Sequence, residues 1–538
     1  MYGVPRTAAL TAPEGEGSRS CFLLSIKNRI NKDKIMKLFQ VNDNLDYAED
    51  EHVKKNTFIG KEPADGALPA FAENIDKLPR PIWENHESVV GCYYKAWELA
   101  FGNLRKAKKE AGFVSDFIDT AFNGYLFMWD SAFIVMFGKY GRRVFDFHKT
   151  LDNFYSHQHK DGYICREICE KQAGEQWTRD DPCSTGPNVL PWAEWEYYLL
   201  TGDKERIARV FDPLLAYHKW LQLNRSWPDG GYWSCGNACG MDNQPRQEEG
   251  YNPWSSHGFM TWIDSCAQMW LSGKTLIEMG KLLGRQAETA WLEEESAMLE
   301  KLINNKMWDE KTAFYYDRRR NGNLSGVKTV GAYWTLLAGL VPEERADAFV
   351  AHLDNEKEFK RPNRIPSLSA DDPHYNAQDG GYWLGGVWAP TNYMVLRGLT
   401  RYGYHTLAYE IARDYLKNVV EVYEKTGTLW ENYSPERAEQ GAAKADFVGW
   451  TGVAPINILF EYVFGIQADM QEKKIVWHVN RKERHGIENY PFGDGTVSLV
   501  CDARRTETEE PRVTVRSDKP VSVEIIWKGG KKCVGATL

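Results

Sequence analysis

No run of apolar residues in this chain is long enough to cross a bilayer, and the mean hydropathy of -0.54 fits a protein that lives in water. Basic residues are in deficit, with 66 Lys and Arg against 75 Asp and Glu. The resulting formal charge of -9 argues against a phosphate-backbone binder, because nucleic-acid affinity rests on clustered Lys and Arg. Zinc spacing is missing too. Cys165 and Cys169, and Cys235 and Cys239, stand as C-x3-C with no CxxC or nearby His pair, so the ten cysteines read as free thiols. The first twenty residues have neither a basic-flanked apolar core nor a small-residue cleavage site, so the expected location is cytoplasmic.

Aromatic residues are plentiful: 21 Trp, 27 Tyr and 23 Phe, with many tryptophans in Gly- and Pro-containing stretches rather than in helical stripes. Flat apolar faces beside fixed polar groups suit a pyranose, which shows C–H groups on its faces and hydroxyls round its edge. The stretch 229–246, DGGYWSCGNACGMDNQPR, has this character. Its glycines allow close backbone approach, Tyr232 and Trp233 offer faces, and Asp242, Asn243 and Arg246 supply a carboxylate, an amide and a guanidinium. A surface loop with a solvated Asp reads equally well from this stretch alone.

Residues 1–36 are expected to be a disordered extension, with Met36 as an alternative start, and 37–84 an extended approach segment. From Glu87 an apolar helix, a tight turn and a more amphipathic helix recur, the first helical pattern running from Glu87 to Gly112. Turns at Gly141, Gly202, Gly284, Pro342 and Gly403 mark the repeat. With a last apolar helix over Trp450 to Gly465, the count approaches a dozen, which predicts an (α/α)6 toroid over residues 85–466. Long segments, approximately 106–130, 157–188, 225–259, 306–329, 354–388 and 426–449, then all open on one face as a cup. After Gly465 the period changes to that of strands, predicting a small C-terminal β-domain over 467–538, with Gly486, Ile487 and Pro491-Phe492-Gly493 as turn and docking elements or, on the plainer reading, a simple connection between strands.

Four of these segments carry aromatic-plus-polar groups: FMWDSAF with Trp129 and Asp130, the GMDNQPR stretch, DGGYWLGGVWAPTNY with Trp383 and Trp388, and GTLWENYSPE with Glu431 and Asn432, running on to Trp450. As an ordered set, WDS, GMDN-x-PR, YW-x-G-x-VW, EN-Y-x-P and GW-x-G resemble the (α/α)6 glycosidases related to glycoside hydrolase family 63, with the family 37 trehalases as more distant relatives. The resemblance covers most of 85–466 and implies Asp242 as general acid and Glu431 as general base. It implies no organic cofactor and allows a Ca2+ near the cup. Gln244 after Asn243 departs from many relatives and leaves the aglycone open.

Chemistry agrees with that transfer, since inverting hydrolysis needs one protonated carboxyl beside the leaving oxygen and one carboxylate holding water on the opposite face. Asp130 is read as an acceptor for sugar hydroxyls, walled by Trp129, or as the N-cap of a helix beginning at Ser131. Trp383 and Trp388 either line the same pocket or pack loop against helix, and Asn432 and Trp450 complete the expected substrate contacts. Asp264, inside a helical pattern, reads as a buried structural group. The expected function is an inverting exo-α-glycosidase on an α-glucoside or related small α-linked sugar, with no membrane or nucleic-acid partner. Hydrolysis of glucosylglycerate- or mannosylglycerate-type solutes, a toroidal phosphorylase or epimerase, and a non-catalytic carbohydrate-binding protein stand as alternatives.

Overall fold

The computed structural model describes residues 48–63, 66–119, 124–170 and 174–536. The expected disordered extension and the alternative start at Met36 lie outside the described residues. Six inner helical segments, Met128–Gly138, Leu190–Thr201, Ile263–Leu283, Trp334–Ala338, Ala389–Arg401 and Ala454–Val463, each pack against the next, and the last returns to the first, so the ring closes. Outside them run Glu87–Gly102, Asp152–Ser156, Lys204–Asn224, Trp291–Lys306, Glu343–Ala351 and His405–Thr426. This is the (α/α)6 toroid. No helix among the described residues is long and apolar enough to cross a membrane.

Burial explains which helices sit inside. Every residue of Met128–Gly138, MWDSAFIVMFG, is buried, as a helix surrounded on all sides must be. His405–Thr426 instead buries a stripe that includes Ala408, Ile411, Ala412, Tyr415, Leu416 and Val419 and turns charges outward. Inner-to-outer turns are short because their chemistry stops one helix and starts the next. Gly202 takes the left-handed conformation (φ 68°) and returns its N–H to the Tyr198 carbonyl, and the Asp203 side chain accepts from the Arg206 N–H at 2.8 Å.

Two helical expectations need correction. The first helix ends at Gly102, not Gly112. After Leu104 the apolar spacing gives way to RKAKKE, and Leu104–Arg105 pairs with Phe117–Ile118 instead. The last one is a 3-10 turn, Thr451–Val453, leading into a wide helix with i→i+5 bonding over Ala454–Val463.

The C-terminal region forms two four-stranded sheets. One runs in the order Arg80–Trp83, His485–Phe492, Gly495–Cys501, Val513–Ser517, and the other Gly530–Ala536, Val521–Trp527, Lys474–His478, Ile466–Asp469. The end of the expected approach segment is thus a strand, paired antiparallel from Arg80 against Glu488 to Trp83 against His485. Of the two readings of these residues the docking one fits Gly493, which donates to the Leu200 carbonyl and accepts from Arg142, so this end of the strand fastens the sheet to the closed end of the toroid, while Gly486 to Phe492 lie within a strand.

Candidate active site

The long inter-helix segments gather at the other end. A narrow pocket there has a cavity volume of about 90 Å³ and opens to solvent, and Trp129, Asp130, Arg166, Trp177, Asn237 and Asp242 are among its lining residues. Its floor is the start of the first inner helix. That helix begins at Met128 with Phe127 as its cap, so Asp130 is the third helical residue and not an N-cap, which corrects one of its two readings. The position beside free N–H groups favours its charge, yet burial drives the carboxyl well above the usual range, and the charge of Glu431 adds to this. Asp130 Oδ1 and Trp129 Nε1 are buried and make no hydrogen bond among the described residues.

Asp242 arrives on the segment after the second inner–outer pair. A single helical turn, Gly236–Cys239, ends at Gly240 with φ 77°, and a Cβ on Gly240 would lie 3.0 Å from the Trp129 indole. Only glycine lets the loop rest on that ring. Burial pushes the Asp242 carboxyl up to about 7; the Arg166 guanidinium opposes this, the charge of Glu431 adds to it, and a hydrogen bond from the Tyr382 hydroxyl favours the ionised form.

Glu431 comes from the sixth segment. Its backbone N–H donates to the Lys444 carbonyl at 2.8 Å, its Oε2 accepts from the Lys444 N–H at 3.3 Å, and Trp450 Nε1 donates to its carbonyl at 2.8 Å. Burial raises its pKa as well. Beside it, both amide atoms of Asn432 are buried and make no hydrogen bond among the described residues. Three carboxyls therefore influence one another in a desolvated space.

Several expected sugar contacts stand elsewhere. Arg246 is 1% exposed and its five N–H groups are taken: Nε to Asp317 at 2.8 Å, Nη1 to Asp264 at 2.6 Å and to the Cys239 sulfur, and Nη2 to Asp264 at 3.0 Å and Asp317 at 2.6 Å. It has no donor left for a sugar, and Asp264 is the buried structural partner expected. Removing one member of such a buried ion cluster strands the rest. Arg246→Ala is expected to cost about 3–5 kcal/mol of stability, checked by chemical denaturation. A loss of less than about 1 kcal/mol would contradict the structural role.

Asn243 does not face the pocket either; its Nδ2 donates to the Gly381 carbonyl and its Oδ1 accepts from the Trp383 N–H, each at 2.9 Å, which pins the Tyr382 backbone between them. Trp383 and Trp388 stack on each other, centroids 3.9 Å apart and 4° from parallel, with no exposed surface. They form a wall behind Tyr382 and do not line the pocket. Trp450, equally buried, supports the Glu431 backbone. Tyr232 lies in the core with its hydroxyl donating to Glu295, and Trp233 sits in an aromatic group with Trp227 and His257.

The second long segment contributes residues that sequence reasoning missed. Arg166 stacks over Trp177 at 5.1 Å, donates from Nε to the Cys183 carbonyl at 2.6 Å, and faces Asp242; Trp177 Nε1 donates to Glu167 at 2.7 Å. Their signal was present, since CREICEKQAGEQW sets aromatic and charged residues in a long segment of the same face. Among the described residues the one close group of metal-ligating type is His52, Asp212 and Glu288, and it does not fit a Ca2+. Arg285 donates to both carboxylates and Lys55 to Glu288, so that cluster is already neutralised by protein cations.

If Asp242 and Glu431 act as the acid and base that the resemblance implies, turnover requires Asp242 protonated and Glu431 ionised. A bell-shaped pH dependence of kcat/KM is expected, its alkaline limb falling near pH 7 and its acid limb lying above the ordinary carboxylate range, the apparent values belonging to the coupled cluster. Activity that stays flat from pH 6 to about 9 would contradict Asp242 as the acid.

A toroid whose open end holds buried carboxyls beside aromatic rings defines a carbohydrate-active enzyme. Residues 124–451 match the family model described as the mannosylglycerate hydrolase MGH1-like glycoside hydrolase domain, and because this is more than half of the chain, the protein belongs to that family of glycoside hydrolases. Among curated proteins, an uncharacterised protein of Borreliella burgdorferi is 23% identical over 411 residues, covering 74% of this chain and 83% of its own length. A probable mannosyl-oligosaccharide glucosidase of Schizosaccharomyces pombe is 28% identical over 293 residues, 51% of this chain and 34% of that protein. Mannosylglycerate hydrolase MGH1 of Selaginella moellendorffii is 33% identical over 140 residues, 26% of this chain and 27% of that one. The family 63 mannosylglycerate hydrolase of Thermus thermophilus, solved with glucose, shares the fold with a TM-score of 0.56 at 22% identity, covering 68% of this chain and 99% of that one.

Proposed function

We propose that this glycoside hydrolase is an inverting exo-α-glycosidase that removes a hexose from an α-glucoside or a related small α-linked sugar, with Asp242 as general acid and Glu431 as general base. The observation that carries the reading is the buried Asp242 carboxyl, which lines the pocket with Asp130 and is held up to about 7 by burial and by the charge of Glu431. A group raised that far still holds its proton in about half of the molecules at neutral pH, where an ordinary carboxyl would be fully ionised. Glu431, fastened by the Lys444 backbone, is the carboxylate left to take a proton from water. Asp130 Oδ1, Trp129 Nε1 and the Asn432 amide offer unused hydrogen-bonding capacity for sugar hydroxyls, because buried polar atoms otherwise find partners.

Hydrolysis of mannosylglycerate or glucosylglycerate is the second reading, favoured by the family match and by a T. thermophilus relative solved with Tris and D-glycerate. An epimerase would need a His pair, and among the described residues no histidine lines the pocket. A panel of aryl α-glucosides, aryl α-mannosides, α-linked disaccharides and the two glycerate glycosides tests the assignment. Release of free hexose from the α-glucosides is expected. Sugar binding without turnover on any member would make the chain a binding protein and refute the proposal.

A further inference from the structure

Two of the exposed large apolar side chains among the described residues lie side by side: Tyr251, 38% exposed, and Phe259, 42% exposed, meet edge to face with centroids 6.1 Å apart. Phe259 also sits at φ 52°, a conformation that bulky side chains rarely adopt. Its N–H is held by His257 Nδ1 at 2.9 Å, and the His257 ring touches the edges of Phe259, Trp227 and Trp233. Trp227 runs 23° from parallel with Phe259, and the Arg320 guanidinium lies 5.4 Å from the Phe259 centroid. The chain thus accepts an unfavourable backbone to keep a phenyl ring in water next to a cation.

The segment that carries Tyr251 and Phe259 also borders the pocket. Asn237, which lines it, donates its N–H to the Trp254 carbonyl at 2.9 Å, and Gly236 donates to Pro253 at 3.1 Å. The Trp254 ring lies 19° from parallel with Tyr382 at 6.2 Å, and the Tyr382 hydroxyl bonds Asp242. Tyr382 and Trp254 therefore stand in ring contact beyond Asp242, and Tyr251 and Phe259 lie three residues before and five residues after Trp254 on the same segment. A general acid stands on the leaving-group side of the bond it protonates, so the segment lies in that direction.

We propose that Trp254, Tyr251, Phe259 and Trp227 bind the leaving-group part of an α-linked oligosaccharide, so that the substrate has hexoses beyond the one attached to the scissile oxygen. The rings offer stacking faces for successive pyranoses, and Arg320 offers hydrogen bonds to their hydroxyls. That direction rests on Asp242 being the acid; the existence of the binding surface does not.

The test compares gluco-oligosaccharides of two to five units in the α-1,2, α-1,3 and α-1,4 series. In at least one series, kcat/KM of the wild-type protein should rise with length, and Phe259→Ala, with its folding checked by circular dichroism, should reduce the ratio of longest to shortest by about 5- to 10-fold. The same series is titrated against Asp242→Asn by tryptophan fluorescence, where affinity should rise with length and lose that dependence when Phe259→Ala is added. Length-dependent binding without any hydrolysis would uphold the surface and remove the catalytic reading. Hydrolysis of disaccharides with flat length dependence in every series, or a ratio untouched by Phe259→Ala, would overturn the proposal. So would sedimentation showing that the patch joins two copies of the chain and that Phe259→Ala separates them.

Discussion

Asp242→Asn is expected to lower kcat/KM by about 10²–10⁴-fold on glycosides with sugar or alkyl leaving groups, and by less than about 10-fold on aryl glycosides whose leaving phenoxide needs little protonation. The asparagine fits the same space, so the loop on Trp129 and the hydrogen bond to Tyr382 keep their geometry while the transferable proton is gone. The contrast between the two substrate types is the informative quantity. Equal, small losses on both would remove Asp242 from the role of acid. A lost fold is separately visible, because the Arg246 cluster with Asp264 and Asp317 anchors the same loop from below and its disruption lowers stability rather than one class of turnover.

Glu431→Ala is expected to reduce turnover by at least about 10³-fold on every substrate while changing sugar affinity by less than about 10-fold, since a base that acts on water contributes little to ground-state binding. Isothermal titration with the released hexose checks the affinity. The truncation removes the bond from the Lys444 N–H to the carboxylate but leaves the residue-431 backbone held, its N–H donating to the Lys444 carbonyl and its carbonyl accepting from Trp450 Nε1, so the segment stays where it is. In the space vacated by the carboxylate, azide is expected to attack an α-linked substrate from the far face and yield the β-glycosyl azide. Residual turnover above about a tenth of wild type would transfer the role to Asp130, whose buried carboxyl is the nearest rival.

The toroid was legible because helix period and turn chemistry are local: Gly202 with Asp203, and the other turn signals, punctuate a pattern that each inner helix states in its own residues. The first helix was overrun because Leu104 keeps the apolar spacing just past its end, while the pairing of Leu104 with Ile118 that displaces it is not local. The same limit governs the site. Asp130, Asp242 and Glu431 could be picked out as carboxylates in aromatic segments, but motif spacing does not say which way a side chain turns. Arg246 turns inward because Asp264 and Asp317 approach from a helix and a loop that sequence does not place beside it. Asn243 spends its amide on Gly381 and Trp383, 138 and 140 residues away. Trp383 and Trp388 are five apart on glycine-rich backbone, which reads like a sugar platform, yet each uses the other as its stacking partner. Arg166 was overlooked because its role depends on facing Asp242 across two segments.

The stereochemical course of hydrolysis tests the two-carboxylate account most directly. Proton NMR of the first sugar released by the wild-type protein from an α-linked substrate, recorded before mutarotation, distinguishes water delivered by Glu431 in one step from a covalent intermediate resolved in two. The account predicts the β anomer. The α anomer would contradict it, making Glu431 or Asp130 a nucleophile rather than a base.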